Sequence, residues 1–410
     1  MSIILIAAAA ISLAGEVSDK GAIQKMVDEA AAKGGGVVEV GAGVWHTGPI
    51  HLRSNIELHL DEGAVLEFSD DPKDYLPAVE TSWEGVECYN YSPLVYAYGC
   101  TNIALTGKGK LAPRMGTWKQ WFKRPPEHMK ATETLYHWCS TNAPVAKRDL
   151  TALPGSNMRP HLIQFNRCRN VRIENIVIRN SPFWTTHLYC CDDCVVRGVD
   201  SYAHGHNNDG IDIESCGNVL VENCTFNQGD DGVVIKAGRN QDAWRVGRSS
   251  HDIEIRNVTL VDGHGLLVVG SEMAGGVERV YMHDCKAIGE LRNFIYLKTN
   301  ERRGGFIRDI KVENCEGNLC NAGSGHSALL NIETDVLYQW AKYPTYEKRI
   351  TDIDGITLRN CHLKKAQHLL NLQGDERKPI KNVILENVTL DECTGEKFRI
   401  KNANYKFRDR

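Results

Sequence analysis

Three acidic residues and one histidine fall close together in the chain, each in a glycine-flanked turn beside a β-rich apolar run. They are Asp209 in NNDGID, Asp230 and Asp231 in QGDDGVVIK, and His264 in DGHGLLVVG. Adjacent carboxylates repel each other and add little to a core. Crowding drives their pKa values apart, which leaves a protonated donor beside an ionised base. A single Asp-Asp pair is usually a solvated turn, but the four residues together predict a catalytic site.

A repeated pattern around these residues predicts how the chain positions them. Copies of N-V-x-V-x-N-C, or close variants, begin at Asn55, Asn102, Asn170, Asn218, Asp252, Arg279, Asp309, Gly355 and Asn382. Each copy alternates apolar and polar residues, which is typical of a short strand, and most end in Asn or Asp, which tolerate a left-handed corner. Repeats of this kind indicate a solenoid, so the chain is predicted to be an all-β parallel β-helix.

Stacked coils turn sequence offsets into spatial neighbours. Asp230 and His264 have the same 12-residue offset from the starts of consecutive repeats, so we expect them one above the other on the same face. Asp209 lies one coil earlier, and Lys298 in YLKTN lies one coil later. Four coils are therefore expected to form one acidic cleft with a cationic edge.

Length and charge narrow the classes of protein that the chain can belong to. The 410 residues would suggest two or three domains, but a solenoid grows as one continuous core. We therefore expect a single catalytic domain over residues 16–410, and a monomer. The net charge of −4, with both signs mixed, favours neither a nucleic acid nor an anionic membrane as partner. No run of 18 apolar residues follows the first twenty, so no internal membrane span is expected.

Residues 1–15, MSIILIAAAAISLAG, are either a signal peptide without the usual basic start or a first buried strand. We favour export, so the expected location is secreted or periplasmic. The next segment, AIQKMVDEAAAKGGG, has a helical apolar stripe that stops at Gly34. A short helix there would cap the open first coil, whose strand edge would otherwise invite association.

The segment from about 112 to 160 breaks the repeat pattern and predicts a long loop that contains three tryptophans. One interpretation is that aromatic and basic side chains lie over the acidic cleft, where tryptophan faces would stack on sugar rings. The alternative is a satellite hydrophobic cluster that packs the loop on the coils. The sequence leaves both open.

The cysteine pattern favours packing over bonding. Four of the fourteen cysteines share one repeat position, namely Cys224, Cys285, Cys315 and Cys361. A buried ladder of small apolar side chains explains them better than disulfides do. A zinc site could be drawn from Cys190, Cys191, Cys194, His204 and His206. Their spacing matches no tetrahedral motif, so we expect no metal.

The motifs resemble those of glycoside hydrolase family 28, the polygalacturonase family, in its bacterial exo-acting branch. In family order they are NNDGID at 207–212, QGDDGVVIK at 228–236, GHG at 263–265 with GSE at 270–272, and YLKT at 296–299. The segments RPHLIQF and NSPFWTTH are also similar to that branch. The resemblance covers roughly residues 20–395. It implies a right-handed parallel β-helix that hydrolyses glycosidic bonds of pectin with inversion, and no cofactor is expected.

The resemblance also implies a role for each residue. Asp230 matches the general acid, and Asp209 and Asp231 match the carboxylates that activate water. His264 matches the histidine that helps to hold the acid in its working protonation state, and Lys298 matches the lysine that contacts the substrate carboxylate. Inversion needs one protonated and one ionised carboxyl on either side of the scissile bond, with room for water.

Two positions depart from the family pattern. Tyr296 stands where the family often has an arginine, so a bidentate clamp on the substrate carboxylate is missing. Gly232 stands where the family frequently has cysteine, which we expect to affect local packing only. The residues that could replace the arginine are Arg239, Arg292, Arg302 and Arg303. Further candidate substrate-binding residues are Tyr296 itself, Trp184 and His187.

The expected activity is removal of terminal galacturonic acid from pectic oligosaccharides, because the aromatic-rich segment would narrow one end of the cleft. A rhamnogalacturonan-type hydrolase is the alternative within the family. From other classes, a pectate lyase would use calcium and an arginine base, and a non-catalytic carbohydrate-binding β-helix would have no reason to keep the acid cluster.

Overall fold

A computed structural model describes residues 16–323, 325–337 and 346–408 of the chain. Residues 1–15, for which we expect a signal peptide or a first strand, lie outside the described residues. Within that part of the chain, successive coils form three ladders of parallel strands along one axis. This is the parallel β-helix that the repeats predict.

The first ladder consists of the repeats themselves. Its strands are Gly36–Val40, Ile56–Leu60, Thr101–Gly107, Arg169–Glu174, Asp192–Arg197, Gly217–Glu222, Ser250–Arg256, Val277–His283, Phe306–Glu313, Asp352–Ala366, Ile380–Cys393 and Ala403–Arg408. Each predicted start of a repeat has positive φ, as at Asn55 (64°) and Asn102 (54°). The Asn102 amide donates to Asn55 Oδ1 at 2.8 Å, and Asn170 donates to Asn102 at the same distance. Asparagine is favoured at these corners because it tolerates the left-handed backbone and bonds to the next coil.

The second ladder follows the first after each corner. Its strands are Glu16–Val17, Gly43–Thr47, Ala64–Phe68, Lys110–Leu111, Val177–Arg179, Asp200–Ala203, Thr225–Gln228, Thr259–Asp262, Lys286–Leu291 and Glu316–Cys320. The long strands Asp352–Ala366 and Ile380–Cys393 run through both ladders and join them at the end of the solenoid.

The third ladder supports the predicted site. Its strands are Ile50–His51, Val95–Tyr98, Ile163–Asn166, Thr186–Tyr189, Ile211–Glu214, Val233–Lys236, Gly265–Gly270, Asn293–Lys298, Ala328–Glu333, His368–Gln373 and Phe398–Lys401. Aliphatic side chains such as Ile211, Val233 and Leu267 stack in register toward the core, and alternate residues face outward.

The cysteines pack as predicted. All fourteen lie within the described residues and are free thiols, and all but Cys393 are buried. Glu316 N donates to Cys285 O and His362 N to Cys315 O, so the repeat-position cysteines occupy adjacent coils. The alternative zinc ligands are not gathered, because Cys191 and Cys194 lie in the core and the ring of His204 bonds to Asn227.

A capping helix covers the start of the solenoid, as the sequence predicts. It spans Ala22–Ala32 and buries Ile23, Val27 and Ala30. The left-handed Gly34 and Gly35 follow its end, and Gly35 N donates to Ala30 O. No helix among the described residues is long and apolar enough to cross a membrane.

The segment 112–160 is not the loop that the sequence predicts, because it contains the helices Gly116–Trp121 and Pro126–Ser140 and the 3-10 helix Val145–Lys147. The other short helices are the 3-10 helix Pro72–Tyr75 and the α-helix Asn240–Val246. Trp118 is fully buried, with its ring 5.6 Å from that of Tyr75. Leu135, Tyr136 and Cys139 lie in a satellite cluster, so the packing alternative describes this segment.

A hairpin that the sequence did not predict lies on the outward face of the third ladder. Its antiparallel strands are Val79–Trp83 and Val86–Asn90. Thr81 Oγ1 donates to Gln164 Oε1 at 2.7 Å, and Trp83 stacks on Phe183 with ring centroids 4.9 Å apart. The outward residues Gln164 and His187 are buried beside the hairpin, whereas Tyr296, Lys298 and Glu333, on later coils of the same ladder, are partly exposed.

Candidate active site

A cleft of about 280 Å³ opens on the outward face of the third ladder, where the hairpin ends. Its lining residues come from five stacked coils and two insertions. They are Glu84, Arg124, Trp184, His206, Asn207, Asp209, Asp230, Asp231, Lys236, His264, Ser271, Glu272, Arg292 and Lys298.

The catalytic candidates lie in the turns that precede three strands of the third ladder, Ile211–Glu214, Val233–Lys236 and Gly265–Gly270. Gly210 N donates to Asp231 O at 2.9 Å, and His264 N donates to Asp230 O at 2.8 Å. These bonds stack the turns on consecutive coils, as the equal sequence offsets predict. Asp209, Asp230, Asp231 and His264 thereby line one cleft.

His264 and Asp230 form a hydrogen-bonded pair, with His264 Nδ1 2.9 Å from Asp230 Oδ1. Burial alone would raise the pKa of Asp230, but the hydrogen bond and charge of His264, with the charge of Lys298, outweigh it. The pKa of Asp230 is therefore lowered, and its ionised form is stabilised by the contact with the His264 ring.

Asp209 has the opposite environment. It is buried, and its Oδ1 has no hydrogen-bond partner among the described residues. Burial, and then the charges of Asp212 and Asp230, raise the pKa of Asp209 well above its ordinary value, with Lys236 opposing. The two carboxyls thus differ in proton affinity. Before substrate binds, the shifts favour the protonated form of Asp209 and the ionised form of Asp230, the reverse of the base and acid roles that the family resemblance implies.

Lys298 links the cluster to the following coil. Its Nζ donates to Asp231 Oδ2 at 3.1 Å and lies 5.3 Å from the ring centre of Tyr296. The Tyr296 hydroxyl donates to Glu333 Oε2 at 2.5 Å. Tyr296 is therefore adjacent to Lys298, although it is not among the residues that line the cleft.

Of the four arginines proposed to replace the family arginine, Arg292 alone lines the cleft among the described residues, and it is exposed. Arg239 is buried behind the wall, where its Nη2 lies 2.6 Å from Glu272 Oε1. Arg303 is buried as well and donates to Ser271 O at 2.6 Å. Arg302 lies over the ring of Tyr346, at 4.2 Å.

Of the two substrate-binding candidates in the motif NSPFWTTH, Trp184 lines the cleft and His187 does not. Trp184 lines the cleft, but its ring is nearly buried, with Lys236 Nζ 4.7 Å from the ring centre. His187 is fully buried and does not reach the cleft. Its ring nitrogens bond to Gln164 at 2.9 Å and to Glu214 at 2.8 Å.

Seven lining residues were missed from the sequence, and two of them, Asn207 and Ser271, belong to the quoted motifs NNDGID and GSE. Lys236 and Glu272 belong to the quoted motifs VVIK and GSE, so those motifs carried a signal for them. Glu84 and Arg124 belong to insertions outside the repeats, and no periodicity marked them. The pKa of His206 is lowered to about 4 by burial and by Arg124 and Arg159 nearby.

One group of His, Cys, Asp or Glu side chains in the described residues could hold a metal ion. It consists of Asp230, Asp231 and His264, whose ligand atoms lie within 4.8 Å of one another. However, His264 already bonds to Asp230 and Lys298 to Asp231. A cation would have to break both contacts, so the arrangement favours acid and base chemistry.

Stacked parallel coils with an acid cluster and cationic side chains in one outward cleft define a parallel β-helix with a candidate hydrolytic site. The chain belongs to glycosyl hydrolases family 28, whose sequence profile matches residues 147–408, more than half of the chain. It is therefore a glycoside hydrolase, and the lyase and non-catalytic alternatives are excluded.

Individual proteins are similar over most of the chain. A hyperthermoactive exopolygalacturonase from Thermotoga maritima has 32% sequence identity and a TM-score of 0.87, over 95% of this chain and 86% of that one. A probable polygalacturonase of Vitis vinifera is 26% identical over 388 residues, 92% of this chain and 72% of its own length. A polygalacturonase from Erwinia carotovora, at 22% identity and a TM-score of 0.70, covers 96% of both chains and shares the right-handed β-helix fold.

Proposed function

We propose that this protein is an inverting hydrolase of galacturonosyl linkages in pectin or pectic oligosaccharides, and that it removes residues from a chain end. The observation that carries the proposal is the single cleft in which Asp209, Asp230 and Asp231 meet His264 and Lys298. The similarity to an exopolygalacturonase over nearly the whole chain supports the same substrate class.

Asp230 is assigned as the general acid and His264 as its proton partner. Before a sugar binds, the lowered pKa of Asp230 favours its ionised form. A bound sugar displaces water, and the loss of solvation favours the neutral form, in which the proton lies on Asp230. From there the proton passes to the leaving glycosidic oxygen. Because the pKa of Asp230 is low, it is a strong acid once protonated.

Asp209 and Asp231 are assigned as the carboxylates that activate the attacking water. The raised pKa of Asp209 makes its ionised form a stronger base for the proton that water loses. Asp231, held by Lys298, orients the same water from the neighbouring coil. Attack opposite to the departing oxygen gives inversion.

The cations on the cleft wall suit an anionic sugar. Arg124, Arg292, Lys236 and Lys298 all line the cleft, and the guanidinium of Arg292 has no partner among the described residues. Charge-assisted bonds from such groups to a uronate carboxylate are strong. Arg292 is therefore the best placed substitute for the missing family arginine.

The asymmetry of the groove supports action at a chain end. On one side of the cleft the hairpin and the helix Pro126–Ser140 pack together with Phe183 and Trp184, whereas on the other side Tyr296, Lys298 and Glu333 are partly exposed. A polymer would then enter from the side that the hairpin does not cover. We further propose that the enzyme acts as a monomer in the periplasm or outside the cell, where pectin is found.

Product analysis tests this function. Polygalacturonate, rhamnogalacturonan and short galacturonides would be digested and their products separated over time. Monomeric galacturonic acid as the first and only small product is expected. Early mixtures of longer oligomers would show mid-chain cutting, and faster release from rhamnogalacturonan would assign the alternative substrate.

A further inference from the structure

The end wall of the cleft contains a residue that its own turn disfavours. Glu84 and Gly85 connect the two hairpin strands, and both are left-handed, with φ of 44° and 80°. Two-residue turns of this kind prefer Asn or Asp before Gly, because longer side chains are strained there. Strain retained at a residue on a cleft wall points to a function for that residue.

The hairpin tip is seated tightly against the wall. Arg239 N donates to Gly85 O at 2.8 Å, and a Cβ at position 85 would lie 2.9 Å from Arg239 N and from Glu272 Cβ. The tip therefore has no room to shift, and it fixes the position of Glu84 at the closed end.

The Glu84 carboxylate is anchored through one of its oxygens. Oε2 accepts a hydrogen bond from the Tyr136 hydroxyl and lies 3.4 Å from Arg239 Nη2. Oε1 has no hydrogen-bond partner among the residues that the structure describes. The side chain is 14% exposed and lines the cleft. One carboxylate oxygen is thus held in place and the other is available to a ligand.

The charge of the end wall decides which group Glu84 can accept. The neighbouring carboxylate, Glu272, is already bonded to Lys236 and Arg239. A uronate carboxylate would be repelled by Glu84, whereas a sugar hydroxyl can donate to it. A terminal sugar has one hydroxyl that an internal sugar lacks, because the internal sugar uses that oxygen in a glycosidic bond.

We propose that Glu84 recognises the end of the substrate by accepting a hydrogen bond from this additional hydroxyl, O4 at the non-reducing end or O1 at the reducing end. The inference rests on the action at chain ends proposed above. An ether oxygen at the same point has no proton to donate, so an internal sugar leaves the nearly buried Oε1 without a donor, and such mismatches are strongly rejected.

Two modified trigalacturonates test the proposal. One has a 4,5-unsaturated non-reducing end and lacks the O4 hydroxyl, and the other is a methyl glycoside and lacks the free O1 hydroxyl. The wild-type enzyme should prefer unmodified trigalacturonate in kcat/KM by roughly tenfold or more over one of them, which identifies the end that is recognised. In Glu84→Gln this preference should fall to about threefold or less, mainly through a higher KM for the unmodified substrate.

Two further variants separate recognition from folding. Glu80→Gln changes a carboxylate of the same hairpin that does not line the cleft, and it should keep the wild-type preference. Glu84→Asn suits the left-handed turn and should fold, yet it should lose the preference as Glu84→Gln does.

An equal loss of rate on all three substrates in Glu84→Gln, or an unchanged preference, would overturn the role of Glu84 alone. Mid-chain products from the wild-type enzyme would instead overturn the action at chain ends, and the role of Glu84 with it.

Discussion

Asp230 and His264 form the contact on which the chemistry depends. Asp230→Asn keeps the shape of the side chain but cannot deliver a proton, so we expect kcat to fall by roughly 10²–10⁴. The thermal midpoint should change little, because Asp230 is at the cleft surface. Steady-state rates on an unactivated oligogalacturonide and a melting curve provide the measurement. Retention of more than about a tenth of the wild-type kcat would remove Asp230 from the acid role.

Lys298 separates charge recognition from chemistry. Lys298→Ala should lower kcat/KM on galacturonides by roughly 10- to 150-fold, the effect of losing one charge-assisted contact. The loss should be smaller on methyl-esterified substrates, which lack the carboxylate. Parallel assays on the acid and its ester provide the comparison. Equal losses on both would mean that Lys298 acts only through its bond to Asp231.

The sequence was sufficient to predict that Asp230 and His264 lie together, because both have the same offset from the start of their repeat and the repeats stack regularly. It could not show that Arg239 and His187 lie behind the wall. Their partners, Glu272 and Glu214, are distant in the chain, and the direction of a buried side chain depends on such partners.

The hairpin is the element that shapes the cleft. Gly85→Ala would place a Cβ 2.9 Å from Arg239 N and Glu272 Cβ, in a left-handed turn, and so displace the tip. We expect a destabilisation of about 1–3 kcal/mol and products longer than the monomer, because the closed end opens. Chemical denaturation and product chromatography would measure the two effects.

Gly34→Ala is the matched control for this change. Gly34 is also left-handed, but a Cβ there meets nothing within 4 Å, and it follows the capping helix. The Gly34→Ala substitution should lower the stability of the protein without changing the reaction products. A monomer-only product pattern from a destabilised Gly85→Ala would show that the hairpin does not set where the enzyme cuts.

Elements were predictable where they repeat. The alternation of apolar residues and the Asn corners gave the strands of the first ladder, and the stripe before Gly34 gave the capping helix. The hairpin was not predicted from the sequence, because its turn is Glu84-Gly85 and lacks the Asn-Gly pair that marks such turns. The helices within 112–160 were not predicted, because Trp118 and Tyr136 pack against residues that are distant in the sequence, and the local apolar pattern does not show such contacts.

The whole molecule is held together without disulfides. Thirteen of the fourteen cysteines are buried, and Cys393 is partly exposed. A reductant should therefore leave the thermal midpoint unchanged, and a thiol reagent should modify about one cysteine in the native protein and all fourteen after denaturation. Titration of the native and the unfolded protein provides the check. Fast modification of several native thiols would contradict the buried ladder.

The proposed action at chain ends has a consequence for the order in which products leave. A sugar that is cut off would lie between the hairpin and the shortened chain, so the shortened chain would have to leave before the sugar can. We therefore expect one cut per encounter, and a population of chains that shortens in step. The freed sugar, still seated beside the hairpin, would then compete with the next chain to arrive.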